Sequence, residues 1–324
     1  MNKTHLGRKE VSMSSNRENW KDRKKREAVL TLKIMWKSRV QYAFLAPYAV
    51  LFTMFFIAPV IISIFYSFTY YNVLEPPTFI GLDNYIKLLL ADDVFLISVQ
   101  NTFLLAVIAG PFGYIMSFLF AWMIHELPRY LRSVFVLVFF APTIAANLFM
   151  LFGTLFSGDA YGWANATLTN WGIIDGVIFW LIDPKYMMPV VILVVLWMSL
   201  GSGFLSFIAG LQTVGVDQYE AGYVDGIRNR WQELWFITLP NMKPMLLFGA
   251  VMSITQSFTV GEVANALCGF PSTDYAANTV VTHLMDYGSL RFDMGYASAI
   301  ATLLFLVMIL SKRGVTAMLN KVGT

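Results

Sequence analysis

The chain has 324 residues, of which 57% are hydrophobic, 16% aromatic and 13% charged, and its formal net charge is +3. Soluble globular proteins carry about 25% charged residues, so this composition indicates a protein whose main solvent is lipid and disfavours a cytosolic enzyme. The one cysteine, Cys268, excludes an internal disulfide and a cysteine zinc cluster.

The apolar residues form six stretches that contain no Asp, Glu, Lys or Arg. A helix needs about 20 such residues to cross about 30 Å of hydrocarbon, and these runs lack the alternation typical of membrane barrel strands. The sequence therefore predicts an all-α protein with six transmembrane helices. The predicted spans lie near Ala43–Phe68, Asn101–Ile124, Val134–Phe156, Pro189–Ala209, Met245–Gly261 and Met294–Leu310.

The distribution of basic residues predicts the orientation of these spans. With the amino terminus inside, 20 of the 23 Lys and Arg residues fall on the cytoplasmic side, and Lys87, Lys185 and Arg291 fall on the other. The positive-inside rule then places both termini in the cytoplasm. Residues 1–41 are predicted to be a basic cytoplasmic tail near anionic lipid, and residues 42–324 the transmembrane domain. We expect no nucleic-acid binding.

The sequence lacks the motifs of a nucleotide, metal or hydrolytic site. It contains no phosphate-binding loop, no dinucleotide glycine motif and no zinc-protease histidine pair, and its three histidines are scattered along the chain. We therefore expect no catalytic residue, metal or cofactor in this chain. If the protein moves a solute uphill, the energy must come from an ion gradient or from another subunit.

The polar 211–243 loop, between the fourth and fifth predicted spans, is the most informative segment. Asp217 is predicted to be the N-cap of a short helix with Glu220 at its third position, which puts both carboxylates at the positive end of the helix dipole. Gly226 is predicted to end this helix in a left-handed conformation. A second helix is predicted over residues 229–237.

The motif in this loop is similar to one found in a known family. Glu220-Ala221-Gly222, followed by Gly226 and by Ile237-Thr-Leu-Pro240, resembles the Glu-Ala-Ala loop of permease subunits of binding-protein-dependent ABC importers, specifically the sugar permeases related to the maltose and glycerol-phosphate systems. The segments 79–85, 98–102 and 178–184 also resemble that family. Gly222 replaces the second alanine, and ten residues separate Gly226 from Ile237 where the family pattern has nine.

The resemblance implies a type I importer permease fold in the bacterial cytoplasmic membrane. It implies a second permease of similar fold, two ATPase subunits that bind ATP and Mg, an extracytoplasmic solute-binding protein, and a carbohydrate substrate, an oligosaccharide. It also implies that five loop residues form the coupling helix that docks on the ATPase: Glu220, Ala221, Gly222, Asp225 and Gly226.

Two other classes of protein remain as alternatives. An ion- or proton-coupled secondary transporter would normally have carboxylates within the membrane, and none lies in the middle of a predicted span. A membrane scaffold or receptor would transport nothing. Purification with an ATPase would distinguish the ABC permease from both.

Polar and aromatic residues at membrane depth are candidates for the solute path, because sugars need hydrogen bonds at their edges and apolar contact at their faces. Asn147, Trp197, Gln256 and Glu262 are the candidates, and helix packing is the alternative role for each. The 172–182 segment is predicted to be a short helix outside the membrane. The outer segments 70–96, 156–188 and 263–293 are predicted to receive the solute-binding protein.

Overall fold

The computed structural model of the protein describes residues 37–144 and 149–320, and almost all of its regular structure is helical. A small antiparallel pair, β1 (Thr69–Tyr70) and β2 (Thr78–Phe79), pairs Thr69 with Phe79. The α-helices are α1 (Arg39–Phe52), α2 (Ala58–Tyr66), α3 (Asp83–Leu90), α4 (Asp93–His125), α5 (Arg129–Ile144), α6 (Met150–Leu155), α7 (Trp163–Asn170), α8 (Pro184–Met198), α9 (Ser202–Thr213), α10 (Val216–Val224), α11 (Arg230–Glu233), α12 (Leu239–Asn241), α13 (Lys243–Thr259), α14 (Glu262–Cys268), α15 (Val280–Met285) and α16 (Met294–Asn320).

Four helical segments within the described residues are long and apolar enough to cross a membrane. They are Arg39–Tyr66, Asp93–His125, Pro184–Thr213 and Met294–Met318, and a fifth arises if Arg230–Asn241 and Lys243–Thr259, bent by 82°, count as one span. These segments overlap five of the six predicted spans. The predicted third span is divided between α5 and α6, and residues 145–148 between them lie outside the described residues.

The chain divides into two units, Met1–Ile62 and Ser63–Thr324. In the first unit, α1 begins at Arg39, so the end of the predicted basic tail is helical, and residues 1–36 of that tail lie outside the described residues. Tyr48, Phe52 and Phe56 stack at one-turn spacing, with ring centroids 5.8 and 5.3 Å apart. None of the residues of α1 is buried, as expected for a helix with an apolar surface for lipid.

Three helices of the second unit, α4, α9 and α13, pack together through small residues. Phe207 of α9 is fully buried and meets the rings of Tyr114 and Phe118 of α4 edge-on, at 5.4 and 5.6 Å. The Phe207 ring fits because Gly249 of α13 has no side chain there: a Cβ atom would lie 2.4 Å from Phe207 Cζ. The Ser253 hydroxyl of α13 donates to the Gly110 carbonyl of α4 at 2.8 Å. Such close helix approach through small residues is typical of membrane interiors.

The segment before α8 differs from its prediction. Residues 172–182 form no helix, and the helix in this region is α7, which ends before Gly172, a residue with φ +68°. The buried Asn165 side chain of α7 donates to the Ile178 carbonyl, and its Oδ1 accepts from the Ile178 N–H and from Trp180 Nε1 at 3.2 and 2.9 Å. The 172–182 prediction was therefore wrong, because these contacts to Asn165 replace intrahelical hydrogen bonds.

Asp92 joins the N-terminal end of α4 to α15 and α16. Its carboxylate accepts from the Phe95 N–H at 2.9 Å and so caps α4. The same carboxylate lies 2.9 Å from His283 Nε2 and accepts from the Tyr296 hydroxyl at 2.7 Å. Because a carboxylate can only accept, His283 Nε2 is the donor. Three segments distant in sequence are thus held at one buried anion.

Candidate functional site

Helix α10 of the 211–243 loop begins two residues earlier than a cap at Asp217 would allow. Its N-cap is Gly215, with φ −67° and ψ 144°, and no side chain caps the helix. The Asp217 carboxylate lies beside Gly215, where a Cβ atom would be 2.2 Å from Asp217 Oδ1. The predicted cap at Asp217 was therefore wrong. Asp217 still lies in the first turn, where its charge is favourable to the helix dipole.

The C-terminal end of α10 agrees with its prediction. Gly226 follows the helix with φ +95°, a conformation that L side chains rarely adopt. The Gly226 N–H donates to the Tyr223 carbonyl at 3.2 Å, and the Ile227 N–H donates to the Gly222 carbonyl at 3.0 Å. This pair of bonds is the Schellman arrangement. It turns the chain sharply and fixes α10 against the segment that follows.

The second predicted helix is also present, with an irregular end. Asn229 is its N-cap and accepts from the Gln232 N–H at 2.8 Å. After α11 the chain continues as a π turn over Leu234–Thr238, and the 82° bend between Asn241 and Lys243 then leads into α13. Leu234 and Ile237 are buried in the core between α4 and α9. The 211–243 loop is thus anchored in the helix bundle.

The five residues implied as the coupling site do not share one face of α10. Glu220, Ala221, Asp225 and Gly226 are exposed, but Gly222 is buried. A Cβ atom at Gly222 would lie 2.5 Å from Ile237 Cδ1. The small size of Gly222 therefore lets α10 lie close to the π turn at Leu234–Thr238, and Gly222 lies on the inner face of the helix.

Apolar side chains surround the exposed acidic residues of α10. Val216, Tyr223 and Val224 are 71, 73 and 85% exposed. Glu220 and Asp225 lie on the same short helix. Exposed apolar groups next to charges are typical of protein interfaces, so this surface is suited to bind another protein.

The 211–243 loop also contacts the C-terminal end of α4. The rings of Trp231 and Trp122 lie 5.4 Å apart, and Arg230 Nε lies 3.5 Å from Glu126 Oε1. Arg230 also pairs with Glu233 at 2.9 Å, and this hydrogen bond holds the pKa of Arg230 above its ordinary value. The loop and α4 therefore meet at an aromatic contact and at an ion pair.

A cavity of about 370 Å³ lies near the far end of α13, and we call it the Gln256 cavity. Gln256 and Glu262 both line it and are exposed. Three serines, Ser199, Ser253 and Ser257, also line it. Each serine hydroxyl donates to a backbone carbonyl of its own or a neighbouring helix, so its oxygen remains available as an acceptor.

The other two candidates for the solute path are not in the Gln256 cavity. Trp197 is half-buried and packs edge-on against Phe152, with ring centroids 5.1 Å apart. In this structure Trp197 thus packs against Phe152 and does not line the Gln256 cavity. Asn147 lies outside the described residues. Sequence reasoning missed Ser253, whose position three and four residues before Gln256 and Ser257 would have placed it on the same helix face.

Residues 111–322 match the family described as "Binding-protein-dependent transport system inner membrane component". The chain belongs to this family. The family is a transport component and not an enzyme, and it is located in the inner membrane.

Relatives in this family align with most of the chain. The probable ABC transporter permease protein YurN of Bacillus subtilis is 32% identical over 83% of this chain and 91% of its own length. The arabinooligosaccharides transport system permease protein AraP of Halalkalibacterium halodurans is 28% identical over 83% of this chain and 84% of its own length.

A solved structure has the same fold. It is a bacterial alginate ABC transporter in complex with an alginate pentasaccharide-bound periplasmic protein. The matching chain is 24% identical, with a TM-score of 0.71, and the match covers 90% of this chain and 99% of that one. The family therefore has the importer permease fold, and this chain shares it.

Proposed function

We propose that this permease forms half of the path by which an ABC importer moves a carbohydrate, an oligosaccharide, across the bacterial cytoplasmic membrane. Its partners are a second permease of similar fold, two ATPase subunits that bind ATP and Mg, and an extracytoplasmic solute-binding protein. Both termini and the 211–243 loop lie in the cytoplasm. Family membership favours this function over an ion- or proton-coupled secondary transporter, because it makes transport dependent on a binding protein.

The observation that most supports this proposal is the geometry of the 211–243 loop. Helix α10 presents Glu220 and Asp225 among exposed apolar side chains, and its inner face is fixed to the helix bundle through Gly222 and Ile237. A partner that grips the outer face of α10 would therefore move α11 and, through Trp231 and its contact with α4, the spans themselves. We assign α10 as the coupling helix that docks on the ATPase.

The Gln256 cavity is the part of the path that we assign to this chain. Its amide, carboxylate and hydroxyl groups can hydrogen-bond sugar hydroxyls. Its volume of about 370 Å³ is at the lower end of the range of small-molecule sites, about 300–1,000 Å³. The names of the relatives, which include an arabinooligosaccharide permease, support a carbohydrate substrate.

The coupling assignment is tested by Glu220→Lys in the complex purified through a tag on this chain. We expect the ATPase to be lost from the complex and ATP-driven uptake into proteoliposomes to fall about tenfold or more, because a reversed charge opposes docking. Gln218→Lys is the matched control, since Gln218 is exposed on the same helix. Normal uptake and normal ATPase content in Glu220→Lys would refute the assignment, and uptake driven by a cation gradient without ATPase would refute the proposed function.

A further inference from the structure

A second concave site lies at the opposite end of α4 from the 211–243 loop. We call it the Lys87 cleft; its volume is about 680 Å³. It is close to the Asp92 end of α4, because Lys87 contacts the Tyr296 ring and Tyr296 bonds to Asp92. A helix of 33 residues is about 50 Å long, so the cleft and the loop are separated by more than the thickness of a bilayer. The residues that line the cleft include Asn72, Leu74, Lys87, Tyr287, Arg291 and Phe292.

Two cations lie around one tyrosine in this cleft. Lys87 Nζ is 4.5 Å from the centroid of the Tyr296 ring and 5.7 Å from that of Tyr287. The Arg291 guanidinium lies 4.5 Å from the Tyr287 centroid. Aromatic faces hold cations in place without neutralising them. The cleft therefore presents two oriented positive charges.

The two carboxylates near the cleft, Asp286 and Asp293, contact groups other than Lys87. Arg291 pairs with Asp286 at 2.6 Å, and its side chain remains 57% exposed. Asp293 also lines the cleft, and its Oδ1 accepts from the Tyr296 N–H. Within the part of the chain that the structure describes, Lys87 has no carboxylate oxygen within 4.0 Å. An external anion could pair with Lys87 without first breaking an ion pair.

The rim of the cleft has solvent-exposed apolar side chains. Leu74 is 89% exposed and Phe292 54% exposed. Val73 and Phe292 have φ of 69° and 57°, which is unusual for residues with bulky side chains. The Asn72 side chain accepts from the Leu74 N–H at 3.2 Å and stabilises this turn. Backbone strain of this kind persists where the surrounding structure fixes it, often at binding surfaces.

These features suit a protein partner with an acidic surface. An aromatic ring, an arginine and exposed apolar side chains around a concave site are typical of interface hot spots. The family depends on a binding protein, and with the 211–243 loop in the cytoplasm the Lys87 cleft lies on the side from which such a protein must deliver its solute. We propose that the Lys87 cleft docks an acidic loop of the extracytoplasmic solute-binding protein, with a carboxylate between Lys87 and Arg291 and an apolar side chain against Leu74 and Phe292. This inference rests on the proposed function.

The test measures binding of the solute-binding protein that stimulates ATP hydrolysis by the wild-type complex. The complex is reconstituted in nanodiscs, and the affinity for the binding protein is measured by biolayer interferometry. We expect Lys87→Glu and Arg291→Glu each to weaken binding about tenfold or more, mainly through slower association at low salt. The control is Lys312→Glu, which makes the same charge change at an exposed residue of α16 outside the segments predicted to receive the solute-binding protein. We expect this variant to stay within about twofold of wild type.

The possible results distinguish failure of the cleft assignment from failure of the proposed function. Lys87→Met removes the charge but keeps an apolar side chain, and it replaces Lys87→Glu if the latter fails to assemble; we expect binding weakened about threefold or more. Unchanged affinity in the Lys87 variants would refute the assignment of the Lys87 cleft as the docking site without contradicting the proposed importer function. Equal weakening by Lys312→Glu would also refute that assignment, since a general effect of net charge would then explain the loss of binding. A wild-type complex that binds no such protein, or lacks an ATPase, would refute the proposed function itself.

Discussion

Replacing Asp92 with asparagine should destabilise the protein at the junction of α4, α15 and α16. The Asp92 side chain is 8% exposed and that of His283 is 4% exposed, so water cannot replace the lost contacts. Asparagine can still accept from the Phe95 N–H, but its amide group would face two donors, His283 Nε2 and the Tyr296 hydroxyl. A hydrogen bond to a charged group contributes about 1.5–3 kcal/mol.

Part of this loss is recovered when the Tyr296 hydroxyl turns to accept from the new amide. Two such hydrogen bonds are affected, so we expect Asp92→Asn to cost about 2–4 kcal/mol after this recovery. At about 2.1 cal/mol/K of unfolding entropy per residue, a chain of 324 residues shifts by about 1.5 °C per kcal/mol, so the midpoint of thermal unfolding should fall by roughly 3–6 °C. The measurement is the heat-resistant monodisperse fraction in size-exclusion chromatography of the fluorescently tagged protein in detergent.

The neighbouring Asp93 provides the matched control, because it is exposed in the first turn of the same helix. We expect Asp93→Asn to change the free energy of unfolding by no more than about 1 kcal/mol, which is the usual contribution of a charge at a helix terminus. An equal midpoint for Asp92→Asn and Asp93→Asn would refute the reasoning, since the buried hydrogen bonds would then contribute nothing.

The effect should also depend on pH. Burial favours the neutral form of Asp92, but hydrogen bonds from Tyr296, the Phe95 N–H and His283 outweigh it and hold the pKa of Asp92 below its ordinary value of 3.8. A group whose pKa is lowered by folding stabilises the fold above its unfolded pKa and loses that contribution as the pH falls through the folded pKa. The difference between wild type and Asp92→Asn should thus be constant near neutral pH and shrink below about pH 4.

Three further changes test the helix bundle, the coupling contact and the cavity. Gly249→Ala puts a Cβ atom 2.4 Å from Phe207 Cζ and should cost about 1–3 kcal/mol by overpacking; Gly314→Ala, with nothing within 4 Å, should be neutral or stabilising in the same heating assay. Trp231→Ala removes the aromatic contact with α4 and should lower the sugar imported per ATP hydrolysed in proteoliposomes while the ATPase stays bound; an unchanged ratio would argue against transmission through this contact. Gln256→Ala removes an amide from the cavity and should reduce uptake about tenfold without releasing the ATPase; equal uptake for every sugar tested would make Gln256 a packing residue.

Some features could be predicted because they depend on short stretches of sequence. Gly226 ends α10 with a positive φ, as predicted from its residue type, and the second helix begins close to the predicted position, with Asn229 as its N-cap. The same local reasoning failed at Asp217, because a glycine two residues earlier allowed the helix to start sooner and the carboxylate to lie against the backbone.

The candidate site was predicted in part. Gln256 and Glu262 do line one cavity. They could be predicted because both are polar residues near the end of one predicted apolar span. Trp197 does not, since its position beside Phe152 depends on a helix from another part of the chain. Gly222 was expected to face a partner. Its burial against Ile237 could not be predicted, because it depends on how the chain folds back after the turn at Gly226.

By itself the sequence determined that this is a helical membrane protein with a polar 211–243 loop that carries the family motif, because lipid requires long apolar helices and the loop motif is contiguous. The tertiary structure alone decided which distant residues meet: Asn165 holds residues 178–180, Asp92 joins three distant segments, and Lys87 lies over the Tyr296 ring. Each of these depends on contacts between residues far apart in the chain. Hydrophobic periodicity and capping rules describe only neighbours in sequence, so they could not specify those contacts.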